Sequence, residues 1–140
     1  MVYMDKFKSK YAFVLKSIKK DQTLSLKKNN LYKKTFIISG SSRGIGLNIA
    51  EKLASQGANI TLVGKTTEKH NKLDGTIYTA RDKVLEKSKM NNCIAVPCDI
   101  REPEQIDNVI SQTLERFNSI DGVVLNASAL CLRNTLNQTE

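Results

Sequence analysis

Gly40, Gly44 and Gly46 stand between a short β-branched run, Thr35 to Ser39, and a helical pattern of apolar residues. That arrangement binds phosphate. The first turn of a helix has N–H groups without intrahelical acceptors, and the helix dipole favours an anion beside them. The three glycines serve separate ends. Gly40 lets the chain leave the strand sharply, Gly44 lets the backbone approach a pyrophosphate, and Gly46 lets the helix pack closely on the sheet. Ser41, Ser42, Arg43 and Ile45 complete the loop. A glycine triplet alone is a weak signal, but between a strand and an amphipathic helix it is a specific one.

A second apolar run, Ile60 to Val63, follows that helix and ends in Gly64-Lys65. In Rossmann sheets an acidic residue at the end of the second strand holds the adenosine ribose hydroxyls and selects NAD, while a basic residue accommodates the 2′-phosphate of NADP. Gly64 sits where the acid would be, and Lys65 follows it. Arg43 adds a cation near the same phosphate. The plain alternative, a solvated loop lysine, does not account for the missing acid, so the pattern points to NADP. Asp99 follows a third apolar run at the carboxyl edge of the sheet. That position favours contact with an adenine ring, against the alternative of an ordinary turn aspartate. Asn126 stands at the end of a fourth run; taken alone it reads as a turn residue. His70 reads as a loop histidine rather than a catalytic one.

These residues need a scaffold, and the periodicity supplies one. Residues 78–90 suit a second helix, Cys93 to Pro97 a third strand, residues 103–117 a third helix and Ile120 to Leu125 a fourth strand. Ile106, Val109, Ile110 and Leu114 share one face of the third helix. Alternating strands and helices imply an α/β, Rossmann-type parallel sheet flanked by helices, joined by right-handed crossovers. The doubly wound order would place its four strands 3-2-1-4. Such a sheet is incomplete, with about four strands present. Residues 64–77 form a connection longer than is usual.

Ser39-Gly40-Ser41-Ser42-Arg43-Gly44-Ile45-Gly46 resembles the T-G-x-x-x-G-x-G cofactor motif of short-chain dehydrogenases/reductases, with serine in place of threonine. Cys98-Asp99-Ile100 resembles the segment whose aspartate meets adenine in that family. Leu125-Asn126-Ala127-Ser128 resembles the N-N-A-G motif after the fourth strand, departing from it at two positions. The resemblance implies that Asn126 ties the sheet together beside the cofactor. Gly64-Lys65-Thr66, His70, Lys72-Leu73, Gly75 to Ala80 and Asn126 to Ala129 are similar to the hydroxysteroid dehydrogenase-like 2 group of the family. The likeness covers about residues 35–140. It implies a lipid-like carbonyl or hydroxyl substrate and an intracellular setting, peroxisome or mitochondrion; the cytoplasm is the alternative without the resemblance.

The family's chemistry uses a serine and a Y-x-x-x-K pair after the fourth strand, in which the tyrosine exchanges the proton and the lysine lowers its pKa. Tyr3, Tyr11, Tyr32 and Tyr78 are followed four positions later by Phe7, Leu15, Phe36 and Asp82, never by lysine. No catalytic residue is therefore assigned. The expectation is the cofactor-binding half of an enzyme domain, residues 35–140, with the catalytic half outside this sequence. The alternative is a nucleotide-binding or regulatory protein without catalysis.

The 140 residues suit one domain, and 40% hydrophobic residues suffice for a core. No apolar run is long enough to cross a membrane. Cys93, Cys98 and Cys131 have no metal-ligand spacing and read as idle thiols in a reducing compartment. The net charge of +8 is confined to residues 1–34, which hold ten lysines against Asp5 and Asp21; the remaining charges cancel. The domain thus has no basic face for nucleic acid. In the extension, Met4, Phe7, Tyr11, Val14, Leu15 and Ile18 recur at helical spacing among lysines. A basic helix on an anionic membrane would look like this. A solvated tail, or a stretch absent from the mature protein, is the plainer reading and the one preferred. The absence of arginine from the segment counts against a mitochondrial transit peptide.

Overall fold

The computed structural model describes residues 31–69, 74–88, 90 and 92–128. The basic extension up to Asn30, with its helical pattern, lies outside the described residues, as do His70, Lys72, Leu73 and Cys131.

Strand β1, Thr35–Ser39, leads through the glycine loop into helix α1, Gly44–Ser55, and back into β2, Asn59–Gly64. Helix α2, Ile77–Ser88, connects to β3, Cys93–Pro97. Helix α3, Pro103–Phe117, connects to β4, Gly122–Val124. All strand pairs are parallel and the order is β3-β2-β1-β4, the doubly wound arrangement expected.

Successive strand residues face opposite sides of the sheet. Ile38, Ile60 and Leu62 pack with Ala50, Ala54, Ala80 and Val84 beneath α1 and α2. Ile37, Val63 and Val96 pack on the other side with Val109 of α3, Cys98 and Ile120. The buried residues of α1, Gly46, Ala50 and Ala54, are four apart and small, so the helix lies close against its neighbours. Thr113 of α3 is fully buried yet satisfied, because its hydroxyl donates to Val109 O at 2.7 Å and lies 3.0 Å from Thr61 Oγ1. No helix among the described residues is long and apolar enough to cross a membrane.

Three elements differ from expectation in their boundaries. β2 is longer at both ends, because Asn59 pairs with Thr35 and Gly64 with Pro97. α2 starts one residue early and stops at Ser88, since Thr76 and Thr79 cap its start and the Ser88 hydroxyl bonds to Leu85 O and Asn92 Oδ1 near its end. β4 is shorter. The Asp121 carboxylate accepts the Thr35 N–H before the strand begins, and Asn126 N–H turns back to Val124 O after it ends.

Candidate functional site

The carboxyl ends of β1, β2 and β3 converge with the start of α1. Gly40 and Gly44 have positive φ angles, +65° and +59°, a region that costs an L-residue side chain about 1–2 kcal/mol. A Cβ on Gly44 would meet nothing within 4 Å, so the backbone there borders open space. A Cβ on Gly46 would lie 2.6 Å from Gly40 O, 2.8 Å from Asn126 Nδ2 and 2.9 Å from Ser41 Cα. The close packing that Gly46 permits is therefore against the loop and Asn126, rather than against the sheet.

The start of α1 differs electrostatically from those of the other helices. Thr76 and Thr79 cap α2 reciprocally, each accepting the other's N–H, at 3.1 and 2.8 Å. Helix α3 carries Glu104 in its first turn. Helix α1 has no acid in its first turn, and its N-cap Arg43 makes no side-chain cap bond. The N–H groups of Gly44, Ile45 and Gly46 have no acceptor among the described residues. Uncapped donors at the positive end of a helix dipole make an anion site.

Loop side chains divide into those directed inward and those left outside. Ser41 is fully buried: its N–H donates to Val63 O at 3.2 Å, its hydroxyl donates to Ile38 O at 2.8 Å, and it accepts Val63 N–H at 2.9 Å. Both of its polar groups thus tie the loop to β2. Ile45 is 73% exposed on the first turn of α1. Arg43 reaches to the segment before α2, where a terminal nitrogen donates to Gly75 O at 2.9 Å. Its Nε is buried and has no partner. A buried donor left in that state is rare and points to a missing acceptor.

Asn126 closes the site from β4. Its Nδ2 donates to Ser39 O at 3.0 Å and Gly40 O at 3.2 Å. Ser39, which the sequence placed at the head of the glycine motif without a role, is the counterpart: its hydroxyl accepts Asn126 N–H at 3.1 Å and Ala127 N–H at 3.0 Å and donates to Val124 O at 3.3 Å. The signal in the sequence was its place as the hydroxyl residue that opens the motif, immediately before Gly40.

Lys65 and Asp99 come together at the ends of β2 and β3, with Lys65 Nζ 4.0 Å from Asp99 Oδ2. Arg101, also missed from the sequence, grips the same carboxylate. The Arg101 side-chain hydrogen bonds, then its backbone N–H, hold the Asp99 carboxyl well below the usual carboxylate range against some loss of hydration, with the Lys65 charge a lesser contribution. Arg43 is held by Gly75 O, in the segment before α2. Gly64 has a packing reason as well as an electrostatic one, since a Cβ there would lie 3.0 Å from Ile77 Cγ2.

Other polar features lie elsewhere. Cys93 and Cys98 are buried, and burial, against the opposing Arg81 charge, pushes the Cys93 thiol up to about 12. A cavity of about 580 Å³ along β3, lined by Arg81, Cys93, Gln112 and Glu115 among others, contains no residue of the glycine loop. Among the described residues no group of three His, Cys, Asp or Glu gathers to hold a metal ion.

Residues 34–140 match the family model for short chain dehydrogenase. Mouse hydroxysteroid dehydrogenase-like protein 2 is 47% identical over 105 residues, which are 74% of this chain and 21% of that protein. The chain thus spans about a fifth of the length of that relative. A short chain dehydrogenase from Mycobacterium thermoresistibile superposes with a TM-score of 0.70 at 43% identity, covering 76% of this chain and 38% of that one. The L-sorbose reductase of Gluconobacter frateurii, solved with NADPH and L-sorbose, superposes with a TM-score of 0.69 at 28% identity, over 81% of this chain and 40% of its own. Agreement of the sequence match, the parallel sheet and the glycine loop puts this chain in the short-chain dehydrogenase family of oxidoreductases, whose members bind nicotinamide dinucleotides.

Proposed function

We propose that residues 35–140 form the NADP-binding part of an oxidoreductase that interconverts a carbonyl and a hydroxyl on a lipid-like substrate. The residues present fit the cofactor. The uncapped start of α1 and the open face at Gly44 suit a pyrophosphate. Lys65 and the orphaned Nε of Arg43 suit the additional 2′-phosphate, and Asp99 stands at the carboxyl end of β3, where adenine lies in Rossmann sheets. When bound, the cofactor supplies or accepts the hydride; these residues bind and orient it. The lipid-like substrate is inferred from the name of the hydroxysteroid dehydrogenase-like relative.

The observation that carries the NADP assignment is Gly64-Lys65 at the end of β2, where an NAD-selecting carboxylate would stand and where a Cβ on Gly64 would press on Ile77 Cγ2 at 3.0 Å. The test is the ratio of dissociation constants for NADP and NAD, with the full-length protein and calorimetric titration. Tighter binding of NADP is expected. Tighter binding of NAD overturns the assignment.

A further inference from the structure

Asp99 is surrounded by two cations, and they engage it differently. Arg101 contributes three donors: its backbone N–H to Oδ1 at 3.1 Å, its Nε to Oδ1 at 2.9 Å and Oδ2 at 3.1 Å, and a terminal nitrogen to Oδ2. Asp99 N–H donates to Gln105 Oε1 at 2.8 Å, so the backbone is held too. A carboxylate offers about four acceptor positions, and Arg101 occupies about three of them. Lys65 Nζ, at 4.0 Å, is beyond hydrogen-bond distance, and its side chain is 71% exposed. The planar guanidinium fork matches a carboxylate better than a point-like ammonium does. Arg101 therefore holds the anion, and Lys65 keeps its donors.

We infer that Arg101 is a specificity-determining positioning residue: by engaging Asp99 it leaves Lys65 available for the 2′-phosphate of NADP. This rests on the reading of Lys65 as the phosphate contact. Without Arg101, an ionised Asp99 would draw Lys65 into a direct pair. Its charge would also stand uncompensated near the phosphate. Both effects oppose NADP and leave NAD, whose ribose hydroxyl carries no charge there, nearly untouched. The sequence makes Arg101 only a charged turn residue two positions after Asp99; the fork gives it a role.

The experiment titrates the full-length protein with NADP and with NAD, as wild type, Arg101→Gln, Arg101→Lys and the double variant Asp99→Asn/Arg101→Gln. Wild type is expected to prefer NADP. Arg101→Gln should lower the NADP-to-NAD affinity ratio about tenfold, the scale of one charge-assisted contact. Arg101→Lys, which keeps the charge, should retain most of the preference. The double variant should regain it, because the uncompensated carboxylate is gone. A wild type that prefers NADP with an unchanged ratio in Arg101→Gln overturns this inference alone. So does an equal loss for both cofactors, which would make Arg101 a general support of the adenine end. A wild type that prefers NAD overturns the Lys65 reading and this inference with it.

Discussion

Asn126 Nδ2 lies 3.0 Å from Ser39 O and 3.2 Å from Gly40 O, so one amide group from beyond β4 closes the turn that starts the glycine loop. The two segments are more than 80 residues apart, and the Ser39 hydroxyl answers by accepting two backbone N–H groups from the β4 side. Loop geometry thus depends on the seating of β4.

Replacing Asn126 separates hydrogen bonding from packing. Asn126→Ala removes two donors and should cost about 1–2 kcal/mol of stability, the net scale of such bonds in a half-buried place. Asn126→Asp should cost more, since an ionised carboxylate would face two carbonyl oxygens with no donor to offer. Urea unfolding monitored by circular dichroism measures both. Equal losses would mean that the amide acts by its shape alone.

Gly44 and Gly46 should respond differently to alanine. The new Cβ in Gly46→Ala would fall within 3 Å of Gly40 O, Ser41 Cα and Asn126 Nδ2, two of them backbone atoms that cannot yield cheaply. Overpacking of this kind costs about 1–3 kcal/mol, so both the melting temperature and cofactor affinity should drop. Gly44→Ala meets no atom but must hold φ at +59°. Its stability loss should stay near the roughly 1 kcal/mol of a left-handed alanine. Its cofactor affinity should still fall if the methyl group occupies the open face proposed for the pyrophosphate. Thermal melts together with cofactor titrations distinguish the two.

Lys65→Asp should shift the cofactor preference from NADP toward NAD. The substitution removes a cation and adds an acid beside Asp99, at the end of β2. Loss of one charge-assisted phosphate contact is worth roughly 1.5–3 kcal/mol, so the NADP-to-NAD ratio should fall at least tenfold. An unchanged ratio would remove Lys65 from the site.

Asp121 should make part of the fold's stability sensitive to acid. Burial works to raise its pKa, but hydrogen bonds from Lys34 and Thr35 N–H outweigh that, and the carboxyl is held below its ordinary value. A group whose pKa is lower in the folded state stabilises fully above its unfolded pKa, about 3.9 for aspartate. That contribution is lost as pH falls through the lower, folded value. Asp121→Asn should therefore be less stable than wild type at neutral pH, with the gap narrowing as pH drops below about 4. Denaturant midpoints at a series of pH values check this. A gap that is constant with pH would show that the charge of Asp121 plays no part.

Periodicity and local chemistry were enough to place β1, α1, β3 and α3, because a β-branched run and an i, i+4 stripe act within a few residues. Strand order followed from them, since short right-handed crossovers leave few ways to arrange four parallel strands. The glycine loop was legible for the same reason: Gly40 and Gly44 are required by backbone angles that neighbouring residues impose. Which side chain meets which was not legible. Ser39 with Asn126, Arg43 with Gly75 and Gly64 with Ile77 are pairs brought together only when strands and helices dock. The ends of β4 were likewise set by bonds from Thr35 and Ser39, on a strand far away in the chain. At the cofactor edge, sequence named Lys65 and Asp99 as separate contacts. Tertiary structure put them 4.0 Å apart and gave the carboxylate to Arg101, because a guanidinium fork two residues along the turn reaches both oxygens and the lysine ammonium does not.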